Sequence, residues 1–174
     1  MLTDEEGNKV YKQEDLGQLA VKHFQNMFAA PPSAEDTVDR FYSSTIPLSM
    51  SAGLVQPVSA EEIKQALFSI SDSKAPGPDG FTSTFFKRSW EIIGTDFTEA
   101  IKYFFAKNFL PRCINATRFA LVLKVENPSC MDDFRPISCC NVIYKCISKV
   151  LAARLKTILP DVINHSQSAF VPGR

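Results

Sequence analysis

The stretch Phe119-Ala-Leu-Val-Leu-Lys-Val125 is the part of the sequence that decides the fold class. It is a short apolar run bounded by Arg118 and Glu126, a pattern that predicts a β-strand. Arg135-Pro-Ile-Ser138 follows a polar turn and is expected to pair with that strand. The other patterned segments have helical spacing, so the sequence predicts a helix-rich α+β fold with little strand.

The N-terminal part of the chain contains one amphipathic helix, predicted over residues 12–28. His23 falls on the apolar stripe of this helix, where a packed histidine is more probable than a ligand or a catalytic base. Residues 29–58 hold four prolines among Ser, Thr and Ala. They indicate a connector with one short helical turn at residues 36–42.

The charge of the chain divides it in two. Residues 1–62 carry a net charge of −6 and residues 63–174 one of +6, so the overall charge of zero conceals an asymmetry. Only the basic part is suited to a polyanion, although a solvated basic face would have the same composition. We therefore expect an acidic helix and connector over residues 1–58 and a different domain over residues 59–174.

Four helices are predicted in that second domain. The first begins at the capping box Ser59-Ala-Glu-Glu62 and ends before Pro76. A short helix follows over residues 82–90. A long helix is expected to be capped by Thr95 and Asp96 and to end at Asn108. The last helix has an apolar side, formed by Ile143, Ile147, Val150, Leu151, Leu155 and Ile158. Its other side carries Lys145, Lys149 and Lys156, and Pro160 is expected to end it.

The composition argues against a metal site and a membrane span. The five cysteines include no C-x-x-C pair, and the two histidines lie far from them in sequence, so free and mostly buried thiols are expected. No apolar run approaches the length of a membrane helix, and the acidic N-terminus is not a signal peptide. These features favour an intracellular protein, and they leave nucleus and cytoplasm open.

Three segments, taken in order, resemble one protein family. They are Lys74-Ala-Pro-Gly-Pro-Asp-Gly-Phe81, then Lys124-Val-Glu-Asn-Pro128 with Asp133-Phe-Arg-Pro-Ile-Ser138 and Asn141-Val-Ile-Tyr-Lys145, and finally Gln167-Ser-Ala-Phe-Val-Pro-Gly-Arg174. Together they are similar to the start of the reverse transcriptase domain of plant LINE-type (non-LTR) retrotransposons. The acidic N-terminal segment resembles the region that joins endonuclease to polymerase in that family.

The resemblance implies the fingers and the start of the palm of a right-hand polymerase fold, truncated before the catalytic palm. The family uses magnesium held by palm aspartates, and those segments are not in this sequence, so no catalytic residue and no metal ligand is assigned here. Met131-Asp132-Asp133 superficially resembles a catalytic turn, but Cys130 stands where an aromatic residue is required. The chain alone is expected to be inactive as a polymerase.

The resemblance also implies two sets of binding residues. Lys124 and Arg135 match the basic positions that meet the incoming nucleotide, and Arg chelates phosphate oxygens in a fork geometry. The template-binding set is Lys74, Gly77, Asp79, Gly80, Phe81, Lys145, Lys149 and Arg174. Two plainer readings stay open: residues 74–80 are only a helix-ending turn, and Arg135 pairs internally with Asp132 or Asp133.

The expected partners are RNA or an RNA/DNA duplex, a dNTP and the palm and thumb of the polymerase, with no membrane. The alternative function is a non-enzymatic interaction module, or an inert relic of a retroelement gene. The sequence departs from the family pattern at Leu123, where a proline is usual, and at Cys139 and Cys146, where larger aliphatic residues are usual.

Overall fold

The structure, a computed structural model, describes residues 1–29 and 48–162. It is helix-rich and mixes helix with sheet, as the sequence predicts. The elements are β1 (Leu2–Thr3), β2 (Lys9–Val10), α1 (Gln13–Phe28), α2 (Leu48–Leu54), α3 (Ala60–Phe68), α4 (Ser83–Arg88), α5 (Trp90–Lys107), α6 (Arg112–Asn115), β3 (Thr117–Leu123), β4 (Phe134–Cys140) and α7 (Val142–Val162). The helical turn predicted at residues 36–42 lies outside the described ranges.

The chain forms two compact units. The first consists of residues 1–41 and 119–138, and the second of residues 42–118 and 139–174. The strand pair β3–β4 therefore begins and ends in the second unit and has its turn in the first. The predicted domain boundary after residue 58 falls between α2 and α3 and stays a prediction.

The first unit is built from α1, the short hairpin β1–β2 and the turn end of β3–β4. Strands β1 and β2 are antiparallel, with Leu2 opposite Val10. The amide of Thr3 donates to the carbonyl of Ser129 at 2.7 Å, which ties this hairpin to the β3–β4 turn. Aromatic stacking attaches α1 to the same strand pair, because Phe28 of α1 stacks on Phe119 of β3 with ring centroids 5.3 Å apart.

The core of the second unit lies among α3, α5 and α7. Its buried apolar side chains are Val58, Ile63, Leu67, Ile70, Phe97, Ile101, Val142, Cys146, Ile147 and Val150. The N-cap that the predicted capping box places at Ser59 is confirmed, because the Ser59 hydroxyl accepts a hydrogen bond from the amide of Glu62 at 3.1 Å. The predicted end of α5 is confirmed as well, since Asn108 has the left-handed φ of 52°.

The predicted start of the long helix is wrong. Helix α5 begins at Trp90, and the amides of Ile92 and Ile93 both donate to the carbonyl of Ser89. Thr95 and Asp96 therefore lie inside the helix and do not cap it. Apolar packing explains the earlier start, because the indole ring of Trp90 packs against Gly94, one helical turn later, where there is no side chain in the way.

Two expectations for α7 are also wrong. The helix continues through Pro160, which lies two residues before its end, so the missing amide costs one backbone hydrogen bond near the terminus. The buried stripe includes Cys146, whereas Leu151 and Leu155 of the predicted apolar side are exposed.

Helix α2 lies in the stretch for which the sequence predicts a connector, so that prediction is wrong for residues 48–54. Its sequence, Leu-Ser-Met-Ser-Ala-Gly-Leu, has weak helical patterning.

The cysteines differ partly from expectation. No disulfide joins any of the five, which all lie in the described ranges, but they are not mostly buried: Cys146 is buried, Cys113 is exposed, and the other three have intermediate exposure.

Candidate nucleic-acid interface

The loop at residues 74–81 is a tight turn in the second unit. The amide of Gly80 donates to the carbonyl of Gly77 at 3.1 Å, and Gly80 has the left-handed φ of 78°. The Asp79 carboxylate accepts a hydrogen bond from the amide of Phe81 at 3.0 Å, which fixes the chain where it leaves the turn. The side chains of Lys74 and Phe81 are exposed at either end of it.

Asn141 holds this loop in place. Its side chain is 1% exposed. The Oδ1 atom accepts from the amide of Asp79 at 3.3 Å, while the Nδ2 group donates to the carbonyls of Cys113 and Ile114 at 2.9 and 3.2 Å. One buried amide thus joins the loop, α6 and the start of α7, because every polar atom of a buried Asn needs a partner.

Lys145 lies beside the same loop, but its ammonium is used there. The Nζ atom donates to the carbonyl of Ala75 at 2.5 Å, 70 residues away in sequence. This contact brings Lys145 together with the predicted loop residues, and it makes the side chain a support of the loop. A role as a phosphate ligand would require it to exchange this carbonyl for the phosphate.

Lys149 lines a shallow groove of about 380 Å³ between α3 and α7. Lys156 lies on the same groove, together with the small side chains of Ser69 and Ala153. The groove also contains Glu62, whose charge is matched by an Arg154 guanidinium at 2.8 Å. Its two lysines are exposed, so a phosphate backbone can approach them.

Lys124 and Arg135 lie near the turn end of the β3–β4 hairpin. Lys124 directly follows β3, and its amide donates to the carbonyl of Asp133 at 2.7 Å. Arg135 is the second residue of β4. Phe119, on which Phe28 of α1 stacks, lies in β3.

The two cations differ in their own contacts. The Lys124 ammonium donates to the carbonyl of Asp132 at 2.6 Å. Arg135 is exposed and makes no ion pair with any residue in the described part of the chain. The internal pairing of Arg135 with Asp132 or Asp133 is therefore not seen, and its guanidinium is available to a ligand.

The acidic turn before Arg135 is occupied by its own hydrogen bonds. One oxygen of Asp133 accepts from the amides of Ser129 and Cys130 at 2.7 and 3.2 Å, and these amides hold the pKa of that carboxyl below its usual range. Asp132 lies 3.8 Å from the His23 ring nitrogen. Across residues 1–29 and 48–162 there is no group of three side chains suited to hold a metal ion.

The predicted nucleotide residues thus lie in the first unit, and the described template residues lie in the second. Arg174 lies outside the described residues. Sequence reasoning missed the role of Asn141, although the quoted motif Asn141-Val-Ile-Tyr-Lys145 contains it. It also missed Arg154, whose guanidinium binds Glu62 and the carbonyls of Leu54 and Gln56.

Comparison with known proteins places this chain among retroelement sequences. It is 30% identical over 172 residues to the transposon TX1 uncharacterized 149 kDa protein of Xenopus laevis, which covers 98% of this chain and 13% of that protein. It is 32% identical over 120 residues to the retrovirus-related Pol polyprotein from the type-1 retrotransposable element R2 of Bradysia coprophila, covering 68% of this chain and 13% of that polyprotein. No protein-family model matches the sequence.

Homologues of this chain are therefore proteins of non-LTR retrotransposons, and the chain is related to a fragment of a retroelement polyprotein. It spans about 13% of the length of each of these relatives. No helix in the described ranges has the length and apolar character needed to span a membrane.

Proposed function

We propose that this chain is the fingers portion, with the start of the palm, of a LINE-type reverse transcriptase such as those of plants. The homology to non-LTR retrotransposon proteins is the observation that carries the proposal. In it, residues 1–58 join the polymerase to what precedes it, and residues 59–174 are a partial polymerase domain. The partners are template RNA or an RNA/DNA duplex, a dNTP and the palm and thumb, in the nucleus or cytoplasm and away from membranes.

The geometry of both predicted binding sets supports this function. Near the hairpin turn, the exposed Arg135 offers a planar set of hydrogen-bond donors, and the exposed Lys124 offers a single positive charge, to the phosphates of a nucleotide. In the loop, the exposed Gly80 carries no side chain, and Asn141 fixes the backbone, so a nucleic-acid strand would meet a rigid surface. Lys149 adds charge on the same unit.

The magnesium that the complete family uses does not fit the residues described here. One carboxylate oxygen of Asp133 accepts hydrogen bonds from backbone amides, and the Asp132 carboxylate lies 3.8 Å from the His23 ring nitrogen. We therefore assign no metal to this chain and no chemical step to it. Purified chain given template, primer, dNTPs and magnesium is expected to make no cDNA, and robust extension would contradict this.

Binding of RNA tests the proposal. Fluorescence anisotropy with a labelled RNA should show affinity that falls steeply with salt, because phosphate contacts release counterions. Replacing Arg135 and Lys124 by alanine should weaken RNA or dNTP binding without unfolding the chain. Lys22→Ala, an exposed lysine of α1 outside the hairpin, is the matched control and should bind as the wild type does.

Two outcomes would change the assignment. If the Arg135→Ala, Lys124→Ala double variant keeps wild-type affinity, the phosphate contacts lie elsewhere, and Lys149 and Lys156 are the next residues to test. If the wild-type chain has no measurable affinity for RNA even at low salt, the binding function itself is wrong.

The second function that an observation favours is a non-enzymatic interaction module. The hairpin exposes apolar side chains, with Val122 50% and Leu123 52% accessible, and exposed apolar surface of this kind is typical of protein contacts. Association through such side chains should be insensitive to salt, or strengthened by it. The salt dependence of binding therefore separates this function from RNA binding.

A further inference from the structure

The second unit exposes a pair of aromatic rings next to the predicted template loop. Phe81, the last residue of that loop, is 47% exposed, and Phe85 of α4 is 42% exposed. Their ring centroids are 4.6 Å apart and the ring planes are inclined by 35°. The two rings thus form one continuous apolar surface that is accessible to a ligand.

The core of the unit holds these rings in position. Phe86 packs edge-on against Phe85 and Phe81, with centroids 5.3 and 6.2 Å away. Phe86 in turn contacts Phe97, which is 4% exposed, at 5.2 Å. A row of rings therefore runs from the core to the surface, so little side-chain freedom remains to be lost when a ligand stacks on the outer pair.

The backbone of the loop fixes the outermost ring as well. The left-handed turn at Gly80 and the hydrogen bond from the amide of Phe81 to the Asp79 carboxylate set the direction in which the chain leaves the loop. Asn141 anchors the amide of Asp79 at 3.3 Å. The position of Phe81 thus depends on the same contacts that hold the loop.

The charges around the ring pair favour an anionic partner. Residues 72–88 carry three cations and two carboxylates, namely Lys74, Lys87 and Arg88 against Asp72 and Asp79. Lys87 forms an ion pair with Asp72 and donates to the carbonyl of Ile70, whereas Lys74 and Arg88 are exposed. Arg88 follows Phe85 by three residues on α4, which places both on one helix face.

We infer that Phe81 and Phe85 form a stacking platform for the unpaired bases of single-stranded RNA, with Lys74 and Arg88 contacting its phosphates. This inference rests on the proposed function and specifies the form of the nucleic acid. Aromatic rings bind bases through their faces, which are accessible in a single strand and hidden in a duplex. The platform therefore selects single strands over duplexes and tolerates any sequence.

The first test uses the wild-type chain and three probes of equal phosphate count: fluorescein-labelled oligouridine of about 12 nucleotides, an abasic ribose-phosphate oligomer and an RNA hairpin. Oligouridine should bind at least about tenfold more tightly than the other two, because stacking adds to the phosphate contacts. Equal affinity for oligouridine and the abasic oligomer would overturn the platform while leaving RNA binding intact. Absence of binding to all three would reject the proposed function itself.

The second test uses variants of the full chain. Phe85→Leu keeps the apolar volume but removes the ring, and should weaken oligouridine binding by about tenfold with no change in the salt slope. Phe85→Tyr keeps the ring and should restore affinity. Phe109→Leu, which alters an exposed phenylalanine of the same unit outside the ring row, should have no effect.

A result in which Phe85→Leu remains folded and binds oligouridine as the wild type does would show that the rings serve another purpose, such as packing against another protein segment. Circular dichroism of each variant establishes that it is folded. The abasic-oligomer comparison needs no variant, so it decides the matter even if a substitution unfolds the chain.

Discussion

Gly77 lies directly against Asn141, with no space for a side chain between them. A Cβ atom built on Gly77 would overlap the amide oxygen and the backbone of Asn141. The closeness follows from the hydrogen bond that joins Asn141 to the amide of Asp79, two residues further along the loop. Glycine is therefore required at residue 77 for space, whereas at Gly80, where φ is 78°, it is required for backbone conformation.

Gly77→Ala should lower the free energy of unfolding by about 2 kcal/mol, because the overlapping atoms include backbone that cannot move aside easily. Urea denaturation measures this change. Gly53→Ala is the matched control, since a Cβ there meets nothing within 4 Å and the residue lies in α2. The control should be neutral or slightly stabilising, and equal stability of the two variants would refute the packing argument.

Asn141→Ala should destabilise the second unit by about 3 kcal/mol, because it removes the partner of two carbonyls and one amide in a buried site. It should also speed hydrogen exchange at the amide of Asp79, which loses its acceptor. Nuclear magnetic resonance measures that exchange at a single residue. The exposed Asn115→Ala is the control, and unchanged exchange at Asp79 in Asn141→Ala would show that the loop is held by other contacts.

The sequence predicted those features of the fold that depend on neighbours along the chain. The N-cap at Ser59 and the left-handed stop at Asn108 each follow from a few adjacent residues, and the pairing of β3 with β4 follows from two strand patterns joined by a polar turn. The start of α5 is not predicted from the sequence because the side chain of Ser89 forms no capping hydrogen bond. Only its backbone carbonyl accepts the first hydrogen bonds of the helix. Local patterns carry no signal for a helix start of that kind.

For the candidate site, the sequence supplies residue types by resemblance, and these stay predictions; it does not supply their contacts. The resemblance points to both the loop and Lys145, but no sequence pattern indicates that the ammonium of Lys145 binds the carbonyl of Ala75. Asn141 and Asp79 are 62 residues apart, and Arg154 and Glu62 are 92 apart. Such pairs are set by tertiary packing, which neither periodicity nor capping encodes.

The paired charges of Glu62 and Arg154 predict how stability depends on pH. Two guanidinium nitrogens of Arg154 donate to the two carboxylate oxygens at 2.8 Å each, and they hold the pKa of Glu62 below its usual range. A lowered folded-state pKa contributes stability above the unfolded pKa, and that stability is lost as pH falls through the folded value. Glu62→Gln should therefore flatten the fall in stability in the acidic range.

Arg154→Lys probes the same contact from the other side. Lysine cannot span both carboxylate oxygens and the carbonyls of Leu54 and Gln56, so the free energy of unfolding should fall by about 2 kcal/mol. Urea denaturation across the acidic range measures both variants. Arg112→Lys, at an exposed position of α6, is the control. If Glu62→Gln shows the same acid dependence as the wild type, the pair does not contribute to it.

The thiol of Cys146 should be protected from modification in the folded chain. Cys146 is fully buried, its sulfur lies 3.5 Å from the carbonyl of Ile63, and burial raises its pKa to about 12. Because the thiolate is the reactive form, iodoacetamide at mildly alkaline pH should label the exposed Cys113 quickly and Cys146 only when the chain unfolds. Mass spectrometry of tryptic peptides distinguishes the two, and the labelling rate at Cys146 should rise with added denaturant. Equal rates at Cys113 and Cys146 under native conditions would mean that the α3–α7 core opens far more readily than its packing indicates.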